Sequence, residues 1–154
     1  MSSVPLEPDT TPRLRIGEAA ALAGVSTRTL RYYQELGLIV PTGTTPGGLR
    51  RYSEENLARV ARIRELQTVL GLNLDEIAIV LRNEDRLAQI RRTYHDERTS
   101  EDERVRLTRE YLVLLERLRT TVEGKRLALD SFLADLEARI GRAKDVLAGR
   151  EPRA

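Results

Sequence analysis

Cysteine and tryptophan are absent from this chain of 154 residues; phenylalanine, methionine and histidine occur once each, and aromatics make up only 4%. Without cysteine there is no disulfide, no thiolate metal site and no thiol nucleophile, and nothing marks an oxidising compartment. With so few aromatics, any core must be built from Leu, Ile, Val and Ala. No apolar run approaches the roughly 20 residues of a membrane span. Residues 1–12 lack the basic and apolar regions of a secretory signal, so the expectation is a cytoplasmic protein with no membrane partner. The length holds one modest core but not a large catalytic domain. No nucleophile–base pair, phosphate-binding glycine loop or metal-ligand set is found, which argues against an enzyme and for neither cofactor nor metal. His95 has Asp96 and Glu97 beside it, but a zinc site needs about three or four converging ligands. It reads as solvated surface.

What is present is unevenly spread charge. The formal net charge is only +2, yet residues 13–64 carry nine arginines against four acids, a local excess of +5. A local basic face matters more for nucleic-acid binding than the chain total. Within it, residues 25–38 put Arg28, Arg31, Tyr32 and Tyr33 behind Ser26, a favoured helix N-cap. A second cluster follows at Gly47-Gly48-Leu49-Arg50-Arg51-Tyr52, with the composition of a turn and a basic strand. The pair reads as a recognition helix and a wing that hold DNA.

The organisation supports this. Three prolines among residues 1–12 mark a flexible tail. A helical pattern runs from Leu14 to a stop at Gly24, and a second from Ser26 to Gly37, making a helix-turn-helix. Residues 38–41 and 49–52 are expected to pair as a loose hairpin. Ser53 then caps a helix ending at Gly71, and Asn73 with Glu76 opens a fourth helix through Leu81. Residues 83–100 read as a charged connector with at most a weak helix, so the DNA-binding head is expected over residues 13–82. Ser100 and Glu103 open a long helix over residues 101–148, followed by a tail at 149–154. Its apolar series is Leu107, Tyr111, Leu114, Leu118, Val122, Lys125, Leu129, Phe132, Leu136, Ile140, Ala143 and Leu147. That spacing, about 3.64 residues per turn, lies between straight-helix and coiled-coil periods. As one helix it would span roughly 70 Å, too long a stripe for a chain of this size to cover. A second copy of the chain is the expected partner, through Leu107, Tyr111, Leu114, Leu118, Val122, Leu129, Phe132, Leu136 and Ile140. Residues 120–124, Thr-Thr-Val-Glu-Gly, are the expected weak point, where β-branching and glycine favour a bend or break.

Base edges supply sequence choice and phosphates supply affinity. Thr27, Arg28 and Arg31 stand where a recognition helix reaches bases, and Arg28 suits a bidentate guanine contact. Tyr32 suits a phosphate. Tyr33 shares the apolar side with Leu30 and Leu36 and divides between core and DNA; Arg31 is also placed for an ion pair with Glu35. Arg50 is the first choice for the wing's phosphate contact and Arg51 the second. Tyr52 either packs the wing on the third helix or touches DNA. Arg64 is the phosphate candidate on that helix.

Residues 14–82 resemble the DNA-binding head of the MerR family of bacterial transcription regulators. The resemblance rests on Arg15-Ile16-Gly17-Glu18, Gly24-Val25-Ser26, Thr29-Leu30-Arg31-Tyr32-Tyr33 and Glu35-Leu36-Gly37-Leu38-Ile39. It continues through Gly48, Arg50-Arg51-Tyr52, Ser53-Glu54-Glu55 and Leu72-Asn73-Leu74-Asp75-Glu76-Ile77. Two positions depart from the family pattern. Leu49 stands where an aromatic is usual, and Gln67 where the third helix commonly carries a basic residue. The resemblance implies a mainly α fold: a winged helix-turn-helix head followed by a long C-terminal dimerisation helix that pairs as an antiparallel coiled coil. It also implies a homodimer on double-stranded promoter DNA, acting with RNA polymerase by distorting the promoter spacer. Many relatives sense metals or redox state through cysteines that this chain lacks, so the effector is unknown. Two other readings remain: an architectural DNA-binding protein with little sequence preference, and a coiled-coil adaptor.

Overall fold

The computed structural model describes residues 11–149; the rest of the expected tails, residues 1–10 and 150–154, lies outside the described residues. The elements are α1 (Ile16–Leu22), α2 (Thr27–Glu35), β1 (Gly43–Thr44), β2 (Arg50–Arg51), α3 (Glu54–Leu70), α4 (Leu74–Tyr94) and α5 (Glu101–Leu147). The fold is mainly α, with a small winged head and a long C-terminal helix. By contacts it divides into two compact units, one up to Arg82 and one from Asn83 onward.

In the first unit, local signals place the helix ends. The Glu18 carboxylate accepts from the Arg15 amide at 2.7 Å, so α1 opens at Ile16 rather than at Leu14. Leu14 is instead extended and exchanges two backbone bonds with Tyr52, each 3.0 Å. At Gly24, φ is 64°, and the Val25 and Gly24 amides turn back onto the Ala20 and Ala21 carbonyls. That left-handed stop needs a residue without Cβ. Ser26 Oγ then accepts from the Thr29 amide at 3.0 Å and starts α2. Gly37, at φ 69°, ends α2 in the same way.

The hairpin is shorter than the sequence suggests. Gly43 opposes Arg51 and Thr44 opposes Arg50, whereas Leu38 and Ile39 leave the expected strand and turn into the core. Burial of those two large side chains outweighs strand pairing in so small a domain. Pairing begins at Gly43, where a Cβ would lie 2.9 Å from the Pro12 ring. Behind the wing, Leu30, Tyr52, Val60, Ile63, Leu66 and Ile77 are each at most 1% exposed. The core is aliphatic, with Tyr52 as its largest fully buried side chain. Asn56 fastens the wing's approach to α3. Its Oδ1 accepts from the Ser53 amide at 3.2 Å and the Thr42 hydroxyl at 2.7 Å, and its Nδ2 donates to the Val40 carbonyl at 2.8 Å. Asn73 and Glu76 cap the start of α4 reciprocally, at 2.8 and 2.9 Å.

In the second unit, helix replaces most of the expected connector. α4 continues to Tyr94, leaving only a short turn before Ser100. Leu87 and Ile90 explain the extension: they bury against Leu107 and Leu114 of α5, with Tyr111 and Leu118 packed around them. Arg86 closes the edge of this cluster with a bidentate pair to Glu110, at 2.5 and 2.7 Å. The Arg86 hydrogen bonds hold the Glu110 carboxyl below the usual glutamate range.

The apolar series on α5 therefore does two jobs, which corrects part of the expected dimer face. Leu107 and Leu114 are buried within the chain itself, and Tyr111 and Leu118 pack beside them. Val122, Leu129, Phe132, Leu136 and Ile140 are exposed, Leu129 at 68% and Phe132 at 62%. Nor does α5 break at residues 120–124; it runs unbroken for 47 residues. Thr120 and Thr121 donate their hydroxyls to the Glu116 and Arg117 carbonyls, which satisfies them without leaving the helix. Ion pairs Arg119–Glu123 and Arg126–Asp130 bracket Gly124. Propagating a helix costs far less than restarting one.

Two stability outcomes follow. Asn56→Ala strands several buried groups and should lower unfolding free energy by about 2–3 kcal/mol in urea titration. Glu110 has a depressed folded pKa, so its pairing with Arg86 stabilises the protein above the ordinary glutamate range and is lost as pH falls through the folded value. Glu110→Gln should therefore flatten the acid limb of a melting-temperature profile.

Candidate nucleic-acid interface

The exposed face of α2 carries the chemistry. Thr27, Arg28, Thr29, Arg31, Tyr32 and Glu35 line one open concavity along it, and Tyr32 is 49% exposed. Ser26, at the N-cap, orients the first turn so that Thr27 and Arg28 lead into this face. Among the described residues no ion pair joins Arg31 to Glu35, so both side chains remain open to solvent. An arginine pair and a phenol on one exposed helix face suit a groove edge lined by phosphates.

Tyr33 and Tyr52 are corrected from this set. Tyr33 is 5% exposed and donates its hydroxyl to Gln67 Oε1 at 3.1 Å. Burial pushes its phenol up in pKa, with the Arg64 charge opposing. Gln67, one of the two departures noted above, is thus a hydrogen-bond acceptor for the core tyrosine. Tyr52 is fully buried, and its hydroxyl accepts from Gln34 Nε2. Neither phenol can reach a phosphate while the head is folded this way.

On the wing, Arg50 is exposed and Arg51 half-buried, as alternation along a strand requires. Arg50 Nη1 donates to Gln34 Oε1 on α2 at 2.6 Å, a contact the sequence reading missed. A glutamine on a short helix gives no signal of a partner sixteen residues away. Leu49 beside it is exposed. Arg64, on α3, points its Nη1 at the Ala23 and Gly24 carbonyls, 3.2 and 3.3 Å away. It caps the end of α1, and a Cβ on Gly24 would lie 3.0 Å from that nitrogen.

The rest of the chain offers less. His95 stacks edge-on against Tyr94 at 5.3 Å and lines a shallow cavity of about 170 Å³ with Ile90, Arg91, Tyr94, Thr108 and Tyr111. Among the described residues, no group of three His, Cys, Asp or Glu side chains is placed to hold a metal ion. No helix there is long and apolar enough to cross a membrane.

Residues 14–84 match the family described as MerR HTH family regulatory protein. A mercuric resistance operon regulatory protein of Pseudomonas fluorescens is 44% identical over 72 residues, 47% of this chain and 49% of that protein. Nodulation protein NolA of Bradyrhizobium elkanii is 34% identical over 126 residues, 82% of this chain and 55% of NolA. The chain thus spans about half the length of these relatives. Among solved structures, one assigned to the MerR family of transcriptional regulators, from Listeria monocytogenes, aligns with a TM-score of 0.55 and 26% identity, covering 89% of this chain and 90% of that one. HiNmlR, a MerR family regulator lacking the sensor domain and bound to promoter DNA, shares the fold with a TM-score of 0.51 at 23% identity, covering 88% and 94%.

The cap made by Arg64 has a measurable consequence. Arg64→Ala should cost about 1 kcal/mol in thermal unfolding. Because the Arg64 charge holds the Tyr33 phenol down, the same variant should shift the Tyr33 ultraviolet titration upward.

Proposed function

We propose that this chain, whose residues 14–84 match the MerR HTH family of regulatory proteins, is a homodimeric, sequence-specific transcription regulator of promoter DNA. The observation that carries the reading is the exposed Arg28, Arg31 and Tyr32 on one face of α2 with the Arg50 wing hydrogen-bonded to the same helix. Arg28, with Thr27 and Arg31, reads base edges in the major groove, and Tyr32 and Arg50 hold phosphates. Arg51 and Arg64 belong to the margin of the interface, since one is half-buried and the other caps α1.

The dimer rests on the exposed apolar residues of α5 at Val122, Leu129, Phe132, Leu136 and Ile140. A stripe that large and that apolar is costly in water and calls for a cover. A second α5 running antiparallel would offer the same stripe in return. Two heads then read two half-sites in successive major grooves. Bending or untwisting the spacer between them costs several kcal/mol, offset by the wing and phosphate contacts, and sets how RNA polymerase engages the promoter. The protein works in the cytoplasm, where that DNA is.

Footprinting of genomic fragments selected by the purified protein tests this directly. A protected pseudo-palindrome between promoter elements is expected. Arg28→Ala combined with Tyr32→Phe should weaken specific binding about 100-fold while sedimentation still reports a dimer. Phe132→Glu should do the reverse, giving a folded monomer that no longer protects the full site. Steep, salt-sensitive binding without a footprint would replace this reading with an architectural one.

A further inference from the structure

Gln34 makes two side-chain contacts at once. Its Oε1 accepts from Arg50 Nη1 at 2.6 Å, and its Nε2 donates to the Tyr52 hydroxyl. Only this orientation of the amide works chemically. A guanidinium offers donors and no acceptor, so the amide oxygen must face Arg50, which leaves the NH2 group for the phenol oxygen. Tyr52 is a fixed point, because its side chain is fully buried and its backbone is bonded both ways to Leu14. Arg50 is exposed, and among the described residues no carboxylate pairs with it. Its charge is therefore intact, and the remaining N–H groups of its fork are open to an anion.

We infer that the buried Tyr52 hydroxyl and the Gln34 amide form a positioning relay that aims the Arg50 guanidinium at the DNA backbone beside α2. The inference rests on the DNA-binding reading above. The choice of an amide matters. A carboxylate at position 34 would grip Arg50 but cancel its charge, while an apolar side chain would leave a long, charged arm without direction. A neutral acceptor, itself held by a buried phenol, gives direction and keeps the charge. Gln34 and Tyr52 thus contribute to DNA affinity, Tyr52 without exposure to solvent.

The test is fluorescence anisotropy of the full-length protein on the footprinted fragment across a salt series, with Gln34→Met, Tyr52→Phe, Arg50→Ala and the two double variants. Gln34→Met and Tyr52→Phe should each weaken binding roughly 5-fold, the order of one ordinary hydrogen bond. Neither should weaken it further once Arg50→Ala is present. Arg50→Ala should lower the salt slope by about 1, whereas Gln34→Met, which leaves the charge in place, should not change it. Thermal melts identify the folded variants, and Gln34→Met, half-exposed and similar in volume, carries the test if Tyr52→Phe unfolds. Unchanged affinity, or the same loss with and without Arg50, would overturn the relay and leave the DNA-binding reading standing. A wild-type protein that binds no fragment at any salt would overturn both, and that outcome is seen before any variant is made.

Discussion

Burial of Tyr52 is the constraint on which the head depends. Its backbone joins the extended segment at Arg13 and Leu14 to the end of the wing. Its hydroxyl reaches Gln34 on α2, and the next residue, Ser53, stands at the start of α3. One residue thus ties the entry of the domain, α2, the wing and the helix behind it. In a domain with so few aromatics, a phenol of that size also fills much of the core. A polar tip inside a small core has to be paired, and the partner it found, Gln34, also holds the exposed Arg50 of the wing.

The same economy appears wherever a polar group serves both fold and surface. Arg64 closes α1 through two carbonyls and at the same time lowers the cost of ionising Tyr33. Gln67 on α3 accepts from the Tyr33 hydroxyl. Asn56 links the approach of the wing to the cap of α3. Arg28, Arg31 and Arg50 stay exposed, and the local excess of arginine over residues 13–64 is hidden in a chain total of only +2.

In the second unit a single periodic series on α5 is divided between two tasks. Its first third is covered by Leu87 and Ile90 of α4, and the remainder is bare. The covered part makes the start of α5 a stable nucleus, from which the rest propagates as helix. The bare part leaves an apolar surface exposed along the helix.

What the sequence determined by itself is local: helix ends set by Ser26, Gly37, Ser100 and the Asn73–Glu76 pair, the 3.6-residue period of α5, and the clustering of arginines and tyrosines over residues 28–52. Each depends on residues within a few positions of one another, where capping and periodicity act. Other features were decided only by the tertiary structure. Leu38 and Ile39 left the expected strand for the core, and the charged residues 83–94 became helix because Leu87 and Ile90 found Leu107 and Leu114. Tyr33 and Tyr52 moved from candidate DNA contacts to buried anchors, and Gln34 acquired Arg50 and Tyr52 as partners. In each case the energy comes from burial or pairing between residues far apart in sequence, and no local pattern encodes which distant side chain will supply it.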